Sequence, residues 1–280
     1  MTILVTGARG RVARTLIDLL VRQGTHPVRA ASSKPEALAL PTGVTTVPCT
    51  LSDPATFPAA LAGVDQVFLY AAESQADAFV AQAAEAGVRH IVLLSSSSVL
   101  APGAADDPLA AHHATVENAL AAGPVPATFL RPGDFAGNAL QWSHALTATG
   151  RVDLPYPESQ GAPLHETDLA EAALAVLNAP AEHGTRAFHL TGPHTLTLRE
   201  QVDHIALATG RPLGVNAVSR EAWKRGVAGY VPDEFADALL DMWQGNVDAP
   251  VATTSTVEAL TGHPARTFAQ WAEEHAADFR

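Results

Sequence analysis

The sequence predicts an α/β protein organised around a doubly wound parallel sheet. Short apolar runs rich in β-branched residues alternate with segments whose apolar residues recur at helical spacing. A glycine-containing turn joins the first of these strands to the first helix. The alternation loosens beyond about residue 150. We therefore predict a first α/β domain over residues 1–150 and a smaller C-terminal substrate lobe over residues 151–280, some segments of which return to the first domain.

The turn after the first strand is typical of a nucleotide site. Residues 6–13 read TGARGRVA, a G-x-x-G-x-x-A pattern between an apolar strand and a helix. Gly7 permits a positive φ, and Gly10 lets the N–H groups of the first helical turn approach a diphosphate, which the helix dipole favours. The pattern predicts a Rossmann-like, NAD(P)-binding domain. A tight turn without a ligand is the alternative. The expected contacts here are Gly7, Arg9, Gly10, Arg11 and Val12.

The residues after the second predicted strand, over residues 26–31, indicate which dinucleotide is bound. In this architecture a carboxylate there would accept a hydrogen bond from the adenosine 2′-hydroxyl of NAD, whereas the 2′-phosphate of NADP prefers hydroxyls and cations. The chain offers Ser32, Ser33 and Lys34, with Arg9 in the glycine turn nearby. We therefore predict NADP (NADPH) as the cofactor. Ser33 also precedes Pro35 as a helix cap would, so its own role stays open.

The remaining strands of the sheet are predicted over residues 44–47, 64–70, 89–94 and 127–130. A helix is predicted over residues 76–86, and another begins at Asp107 and Pro108. Ligands of doubly wound sheets bind beyond the carboxyl ends of the strands. The residues that follow the strands are therefore expected to face one crevice. They include Ala71 and Ala72, which leave room for a ribose or nicotinamide, and Ser95, Ser96, Ser97 and Ser98.

Three groups of polar residues are interpreted as structural. Asp53 precedes Pro54 at a helix start, and the pairs Asp168–Glu171 and Thr197–Glu200 have capping-box spacing. We predict that each caps a helix rather than binding a ligand.

Composition excludes several classes of function. The 280 residues include 17 Lys and Arg against 29 Asp and Glu, a formal net charge of -12, and a nucleic-acid surface needs clustered cations. Cys49 is the one cysteine, which excludes an intrachain disulfide and a multi-cysteine metal site, so we predict no metal and a cytoplasmic location. No apolar run approaches the roughly 20 residues that span a bilayer, so no membrane association is expected.

Four segments together resemble a known family. They are the glycine turn, the strand end over residues 93–98, LRPGDFAGN over residues 130–138, and LTGPHTLT over residues 190–197. With these motifs at this spacing, nearly the whole chain resembles the NmrA-like group of atypical short-chain dehydrogenases/reductases. It is most similar to the branch of ergot-alkaloid imine reductases and NAD(P)H-dependent quinone reductases. The resemblance implies NADP binding, cofactor contacts by Pro132 and Phe135, and a C-terminal lobe that shapes the substrate pocket.

One departure from the family pattern governs the expected chemistry. Dehydrogenases of the wider superfamily carry a Tyr-x-x-x-Lys pair, in which the lysine lowers the pKa of the tyrosine and the tyrosine protonates the developing alkoxide. The equivalent positions here are Leu109 and His113, so the phenol is missing. The resemblance implies that His113 replaces a lysine at the nicotinamide end of the cofactor. A packed or solvated pair of His112 and His113 is the alternative.

Substrates that tolerate weak proton donation fit this departure. Hydride transfer to an iminium gives a neutral amine, and transfer to a quinone gives a delocalised phenolate, so orientation matters more than a strong acid. We predict an NADPH-dependent oxidoreductase that acts, as a monomer or homodimer, on an imine, quinone or conjugated carbonyl of secondary metabolism. The expected reaction-site residues are Tyr70, Ser97, His113 and Asp134.

Two other interpretations stay open. A non-catalytic, NADP-binding redox sensor would need no Tyr-Lys pair. A family member recruited for cyclisation or epimerisation would form its product without net consumption of cofactor. Asp134 is likewise open to two interpretations, because it could steady a substrate cation or form the turn after Pro132 and Gly133.

Overall fold

A parallel sheet of seven described strands forms the centre of the computed structural model, which describes residues 1–71, 75–101, 103–104, 106–107, 110–249 and 251–280. With the strands numbered in chain order, their order across the sheet is β3-β2-β1-β4-β5-β6-β9. The first strand pairs with the second on one side and with the fourth on the other. The strand order therefore reverses direction between β1 and β4, and ligands of doubly wound sheets bind at such a reversal. The strands are β1 Ile3–Val5, β2 Val28–Ser32, β3 Thr45–Pro48, β4 Gln66–Tyr70, β5 His90–Leu94, β6 Ala127–Pro132, β7 Arg151–Leu154, β8 Gln160–Gly161, β9 Ala187–Leu190, β10 Leu196–Thr197 and β11 Gly214–Ala217.

Helices cover both faces of the sheet. The described α-helices are α1 Arg11–Gln23, α2 Phe57–Leu61, α3 Ala76–Glu85, α4 Ala111–Ala122, α5 Ser143–Thr149, α6 Glu166–Asn178, α7 Pro180–His183, α8 Leu198–Thr209, α9 Arg220–Val227, α10 Asp233–Gly245, α11 Thr256–Thr261 and α12 Phe268–Glu274. Short 3-10 helices span Pro35–Ala37, Pro54–Thr56, Ser97–Leu100, Ala136–Trp142 and Ala276–Phe279. In the described part of the chain, no helix has the length and apolar character needed to cross a membrane.

Side chains alternate between the two faces along β1, as the strand period of two requires. Ile3 and Val5 point into a core with α1 and α6, whereas Leu4 points into the opposite core with α2, α3 and α4. Both cores consist of fully buried aliphatic and aromatic residues. The predicted α/β fold with a doubly wound parallel sheet is therefore confirmed.

The second half of the chain contributes to the sheet and also builds a core of its own. β9 pairs with β6, and α6 packs beside α1. A separate core surrounds the fully buried Trp271 and joins α8 and α12 to the parallel pair β7 and β11. The 3-10 helix Ala136–Trp142 contributes Ala136, Ala139 and Trp142 to this separate core.

The predicted strands agree with the observed ones to within a few residues, and two of the predicted caps are confirmed. Asp53 accepts a hydrogen bond from Ala55 N–H at 3.1 Å, and Thr197 forms a complete capping box with Glu200. The helix expected from Asp107 and Pro108 instead begins at Ala111, and the carbonyl of Asp107 accepts the N–H groups of Ala110 and Ala111 ahead of it. Pro108 lies outside the described residues.

The predicted cap at Asp168 is wrong. α6 begins two residues earlier, and its N-cap is His165, whose Nδ1 accepts the N–H of Thr167 at 3.1 Å. Asp168 is fully buried in the first turn, where it accepts hydrogen bonds from the backbone N–H and the guanidinium of Arg266. The capping-box spacing gave a wrong prediction because Asp168 binds Arg266, 98 residues away along the chain, rather than the start of its own helix.

Candidate active site

The glycine turn folds as the sequence predicts. Gly7 has φ +62°, a conformation that L side chains rarely adopt. A Cβ at this position would lie 3.1 Å from the Cβ of Tyr70. Gly10 N–H donates to the carbonyl of Gly7 at 2.8 Å, and α1 begins at the next residue. The turn therefore brings the start of α1 to the carboxyl ends of β1 and β4.

The N-terminus of α1 has free capacity for an anion. Its N-cap, Gly10, supplies no side-chain cap, and no acidic residue occupies the first turn. The first N–H groups of a helix have no partner within the helix, and here they face a cavity of about 230 Å³ lined by Gly10, Arg11, Val12 and Ala13 among others. A diphosphate fits this donor set, because the N–H groups and the helix dipole both favour negative charge.

The end of β2 gathers the residues expected at the adenosine 2′-phosphate. Arg9 Nη2 donates to Ser33 Oγ at 3.4 Å. Ser32 is buried, and its Oγ accepts the N–H of Lys34 at 3.1 Å. Ser33 and Lys34 are exposed. The side chains of Arg9, Ser33 and Lys34 are thus exposed at the end of β2, where the 2′-phosphate is expected. Ser32 is buried and stabilises the turn.

The cavity continues from the start of α1 to the ends of the next strands. Tyr70, which is 55% exposed, and Leu94 line it from β4 and β5. Phe135 lines it from the segment after β6. Ala71 is buried directly after β4, and Ala72 lies outside the described residues. The remaining lining residues include Gly137, Asn138 and Glu166.

A second group of polar residues lies where β5 and β6 meet α4. Ser95 Oγ donates to Glu117 Oε1 at 2.5 Å, and Arg131 donates to both carboxylate oxygens, at 2.9 and 2.5 Å. Glu117 is buried, so its charge depends on this partner. The hydrogen bonds to Glu117 raise the pKa of Arg131. The network fixes the end of β5, and with it the serines that follow, against α4.

His113 lies one helical turn before Glu117 on α4 and is largely buried. Its Nδ1 is buried without a hydrogen-bond partner among the described residues, and its ring lies 3.8 Å from the ring of His112, centroid to centroid. Burial, assisted by His112 and opposed by Glu117, lowers the pKa of His113 from 6.5 to about 4. The imidazole is therefore neutral near pH 7. Leu109, at the position of the missing phenol, lies outside the described residues.

The serines after β5 have different partners. Ser96 caps the 3-10 helix Ser97–Leu100 by accepting the N–H of Ser98 at 3.2 Å. Ser97 Oγ would lie 3.7 Å from a Cβ on Gly133, which places its hydroxyl beside the turn after β6. Pro132, the last residue of β6, is buried under that turn.

Asp134 is not among the residues that line the cavity, although it contacts one of them. It accepts a hydrogen bond from Asn138 at 2.9 Å, and its Oδ2 packs against Gly161 of β8. Burial raises the pKa of Asp134, and the hydrogen bonds from Asn138 and Phe135 partly oppose this shift. The structure thus brings Tyr70 and Phe135 to the cavity and joins Ser95 to the Glu117 network. His113 lies one helical turn from Glu117 without a hydrogen bond from its Nδ1 to that network, and Asp134 holds the turn between β6 and β8.

One acidic cluster could suggest a metal site. Ligand atoms of Asp168, Glu171 and His263 lie within 4.8 Å of one another. The guanidinium of Arg266 donates to both carboxylates, however, and His263 Nε2 lies 3.1 Å from Glu171. A cation of the protein itself therefore compensates the cluster, and we assign it a structural role.

Sequence reasoning missed Glu117, Arg131 and Glu166 as site residues. Glu117 could have been found, because it follows His113 by four positions and so shares its helix face. Glu166 gives no such signal, because its neighbours in the cavity are distant in sequence.

Comparison with known proteins identifies the family. A family model described as NAD(P)H-binding matches residues 7–180, which is more than half of the chain. This chain belongs to the NAD(P)H-binding family. The expectation of an NAD(P)H-binding protein is confirmed.

Two curated relatives match this NAD(P)H-binding protein along its length. It is 36% identical to the (4-alkanoyl-5-oxo-2,5-dihydrofuran-3-yl)methyl phosphate reductase of Streptomyces griseus, over 99% of each chain. It is 32% identical to an NAD(P)H azoreductase of Xenophilus azovorans, again over 99% of each chain. Both relatives are named as reductases, which agrees with the expectation of an oxidoreductase.

Solved structures agree with the fold. The NADPH-dependent quinone oxidoreductase QOR2 of Escherichia coli, solved with NADPH, is 25% identical, with a TM-score of 0.79 over 97% of this chain and 99% of that one. NmrA, a negative transcriptional regulator solved with NADP, is 21% identical, with a TM-score of 0.74 over 98% of this chain and 94% of that one, and shows the fold alone. The NmrA-like resemblance is confirmed.

Proposed function

We propose that the chain is an NADPH-dependent reductase of acceptors whose reduced form is already stabilised: an imine or iminium, a quinone or a conjugated carbonyl. The observation that carries this proposal is the state of His113. The position that the resemblance assigns to the nicotinamide end holds a partly buried imidazole, with a buried Nδ1, whose pKa is lowered to about 4. Such a group is a poor general acid at neutral pH. An isolated ketone, which yields a basic alkoxide, is therefore a poor substrate.

The preference for NADPH over NADH rests on the end of β2. The guanidinium of Arg9 contacts the hydroxyl of Ser33, and the exposed Lys34 is the next residue along the chain. A 2′-phosphate gains from both charges, whereas the 2′-hydroxyl of NADH needs an acceptor. The first turn of α1 would hold the diphosphate with its N–H groups, as its free donors allow.

The residues around the crevice would act mainly by binding and orientation. When bound, NADPH supplies the hydride. Phe135 and Leu94 form an apolar wall that excludes water from the cavity. The neutral His113 and the hydroxyl of Ser97 are outside the lining of the cavity. We propose that an acceptor bound beyond the nicotinamide end would reach them as hydrogen-bond donors to its oxygen or nitrogen, while water would supply the proton of the product.

The names of the relatives support an acceptor of this kind. One relative reduces an alkanoyl-substituted 5-oxo-2,5-dihydrofuran, a second is an azoreductase, and a structural relative is a quinone oxidoreductase. Their substrates share π systems that delocalise or accept the incoming electron pair. These names support the proposed class of acceptor, one with a conjugated π system.

The test follows NADPH absorbance at 340 nm with a panel of acceptors. We expect oxidation of NADPH with menadione, with a cyclic imine or with an acyl butenolide, and at least about tenfold slower oxidation with cyclohexanone. NADH at equal concentration should be the weaker donor. The variant His113→Gln, which keeps a neutral hydrogen-bond donor, should retain turnover within about tenfold. Tight NADPH binding with no acceptor-dependent oxidation would contradict the proposal and favour a sensor.

A further inference from the structure

One oxygen of a buried carboxylate in the lining of the cavity has no hydrogen-bond donor among the described residues. Glu166 is the first residue of α6, is 8% exposed, and lines the same cavity as Gly10 and Phe135. Its Oε1 is buried and has no hydrogen-bond partner among the described residues. A carboxylate oxygen that is buried in this way is costly to the folded protein. A bound molecule that supplies a donor would remove this cost.

The backbone around Glu166 is held from two sides. Leu164 N–H donates to the carbonyl of Asp134 at 2.8 Å, and Leu164 accepts the N–H of Ala136 at 2.9 Å. On the other side, the first turn of α6 is anchored by the buried pair of Asp168 and Arg266. The carboxylate of Glu166 is therefore directed into the cavity by a rigid support.

Gly137 provides the room for this carboxylate. A Cβ at Gly137 would collide with Glu166 Oε1. The same Cβ would lie 3.2 Å from Nη1 of Arg11, the first residue of α1. Glu166 and Arg11 thus face each other across Gly137, with the carboxylate on the side of α6 and the guanidinium at the end of the helix that would receive the diphosphate.

The position of Glu166 indicates which half of a dinucleotide it would meet. The adenosine half belongs beyond β2, with Arg9 and Ser33, and the diphosphate belongs at the first turn of α1. Glu166 lies on the other side of that turn, with Leu94 and Phe135 from the ends of β5 and β6. Next to the diphosphate in this half, the hydrogen-bond donors are the hydroxyls of the second ribose, and carboxylates accept hydrogen bonds from ribose hydroxyls.

We propose that Glu166 accepts a hydrogen bond from the ribose on the nicotinamide side of the bound dinucleotide, in the space that Gly137 leaves. Glu166 is then a binding residue that sets the position of the nicotinamide end. Arg11 offsets the repulsion between the carboxylate and the diphosphate. This inference rests on the proposed NADPH site.

Calorimetry with two ligands tests the inference. NADP⁺ carries the second ribose, whereas adenosine 2′,5′-bisphosphate carries the adenosine half alone. We expect Glu166→Ala to weaken NADP⁺ binding about tenfold and to leave binding of the bisphosphate within about twofold of wild type. Glu166→Gln keeps a carbonyl oxygen at the same place and should lose less affinity than Glu166→Ala. Gly137→Ala should weaken NADP⁺ binding with the same selectivity, since it displaces the carboxylate.

Binding of the bisphosphate also shows that each variant is folded at its nucleotide site. Equal weakening of both ligands in Glu166→Gln and Gly137→Ala would overturn the inference, because Glu166 would then support the fold rather than the second ribose. Unchanged NADP⁺ affinity in Glu166→Ala would overturn it too, while acceptor-dependent oxidation of NADPH by the wild type would still stand. A wild type that binds the bisphosphate and NADP⁺ equally well overturns the inference alone. A wild type that binds neither overturns the proposed function as well.

Discussion

His113 shows how burial changes the chemistry of a residue that sequence alone suggests is basic. In solution an imidazole titrates near pH 6.5, and as a cation it would replace the positive charge of a lysine. Burial beside His112 keeps it neutral here. If His113 stands where the resemblance implies a lysine, as we propose, the site loses a positive charge and keeps a hydrogen-bond donor.

The lowered pKa of His113 has a consequence for stability. Between pH 6.5 and about 4 the unfolded chain binds a proton that the folded chain does not bind at His113. The free energy of unfolding contributed by this residue therefore falls as the pH is lowered through that window. We expect the wild type to lose about 1 kcal/mol more than His113→Gln between pH 7 and pH 5, measured by urea unfolding. The control is His144→Gln, at an exposed position. Identical pH dependence in wild type and His113→Gln would contradict the assignment.

At the scale of elements, α6 links the C-terminal segment to the cavity. Arg266, just before α12, donates hydrogen bonds to Asp168 and Glu171 on α6 and forms an ion pair with each carboxylate. These contacts raise the pKa of Arg266. Because Asp168 is fully buried, its charge relies on Arg266 alone among the cations described there. The pair therefore holds the turn of α6 that carries Glu166.

Removal of this cation should be costly. We expect Arg266→Met, which keeps most of the apolar stem, to lower the free energy of unfolding by about 3 kcal/mol, because it leaves a buried carboxylate without compensation. Thermal and urea unfolding measure the loss. The control is Arg199→Met, which removes a surface ion pair with Glu158 and should cost less than about 1 kcal/mol. Equal effects of the two variants would show that Arg266 behaves as a surface residue.

For the whole molecule, local patterns predicted the parts of the site that are contiguous in sequence. The glycine turn, the strand ends and the polar end of β2 each follow from a short segment and the rule that ligands bind beyond parallel strands. The contacts that the sequence did not predict join distant segments. Asp168 meets Arg266 because the segment before α12 packs on α6. Glu166 meets Gly137 because the 3-10 helix that follows β6 lies beside the start of α6. No periodicity or cap within either segment encodes such a contact.

The parts of the fold that sequence predicted least well lie after residue 150. Strands and helices no longer alternate there, because the chain leaves the sheet and returns to it through α6 and β9. It then forms the separate core around Trp271. The doubly wound sheet itself was predictable, because its central strands β1, β4 and β5 are buried on both faces and read as continuous apolar runs.

The central claim is that the diphosphate of NADPH rests on the first turn of α1, and calorimetric titration of Gly10→Val with NADPH tests it most directly. A Cβ at Gly10 would lie 3.3 Å from the carbonyl oxygen of Gly7, and the valine methyl groups would cover the N–H groups of that turn. The control is Gly245→Val, where a Cβ meets nothing within 4 Å. We predict saturable binding to the wild type and to Gly245→Val, and at least about a hundredfold weaker binding to a folded Gly10→Val. Equal affinity in Gly10→Val and the wild type, or no binding heat from the wild type, would contradict the claim.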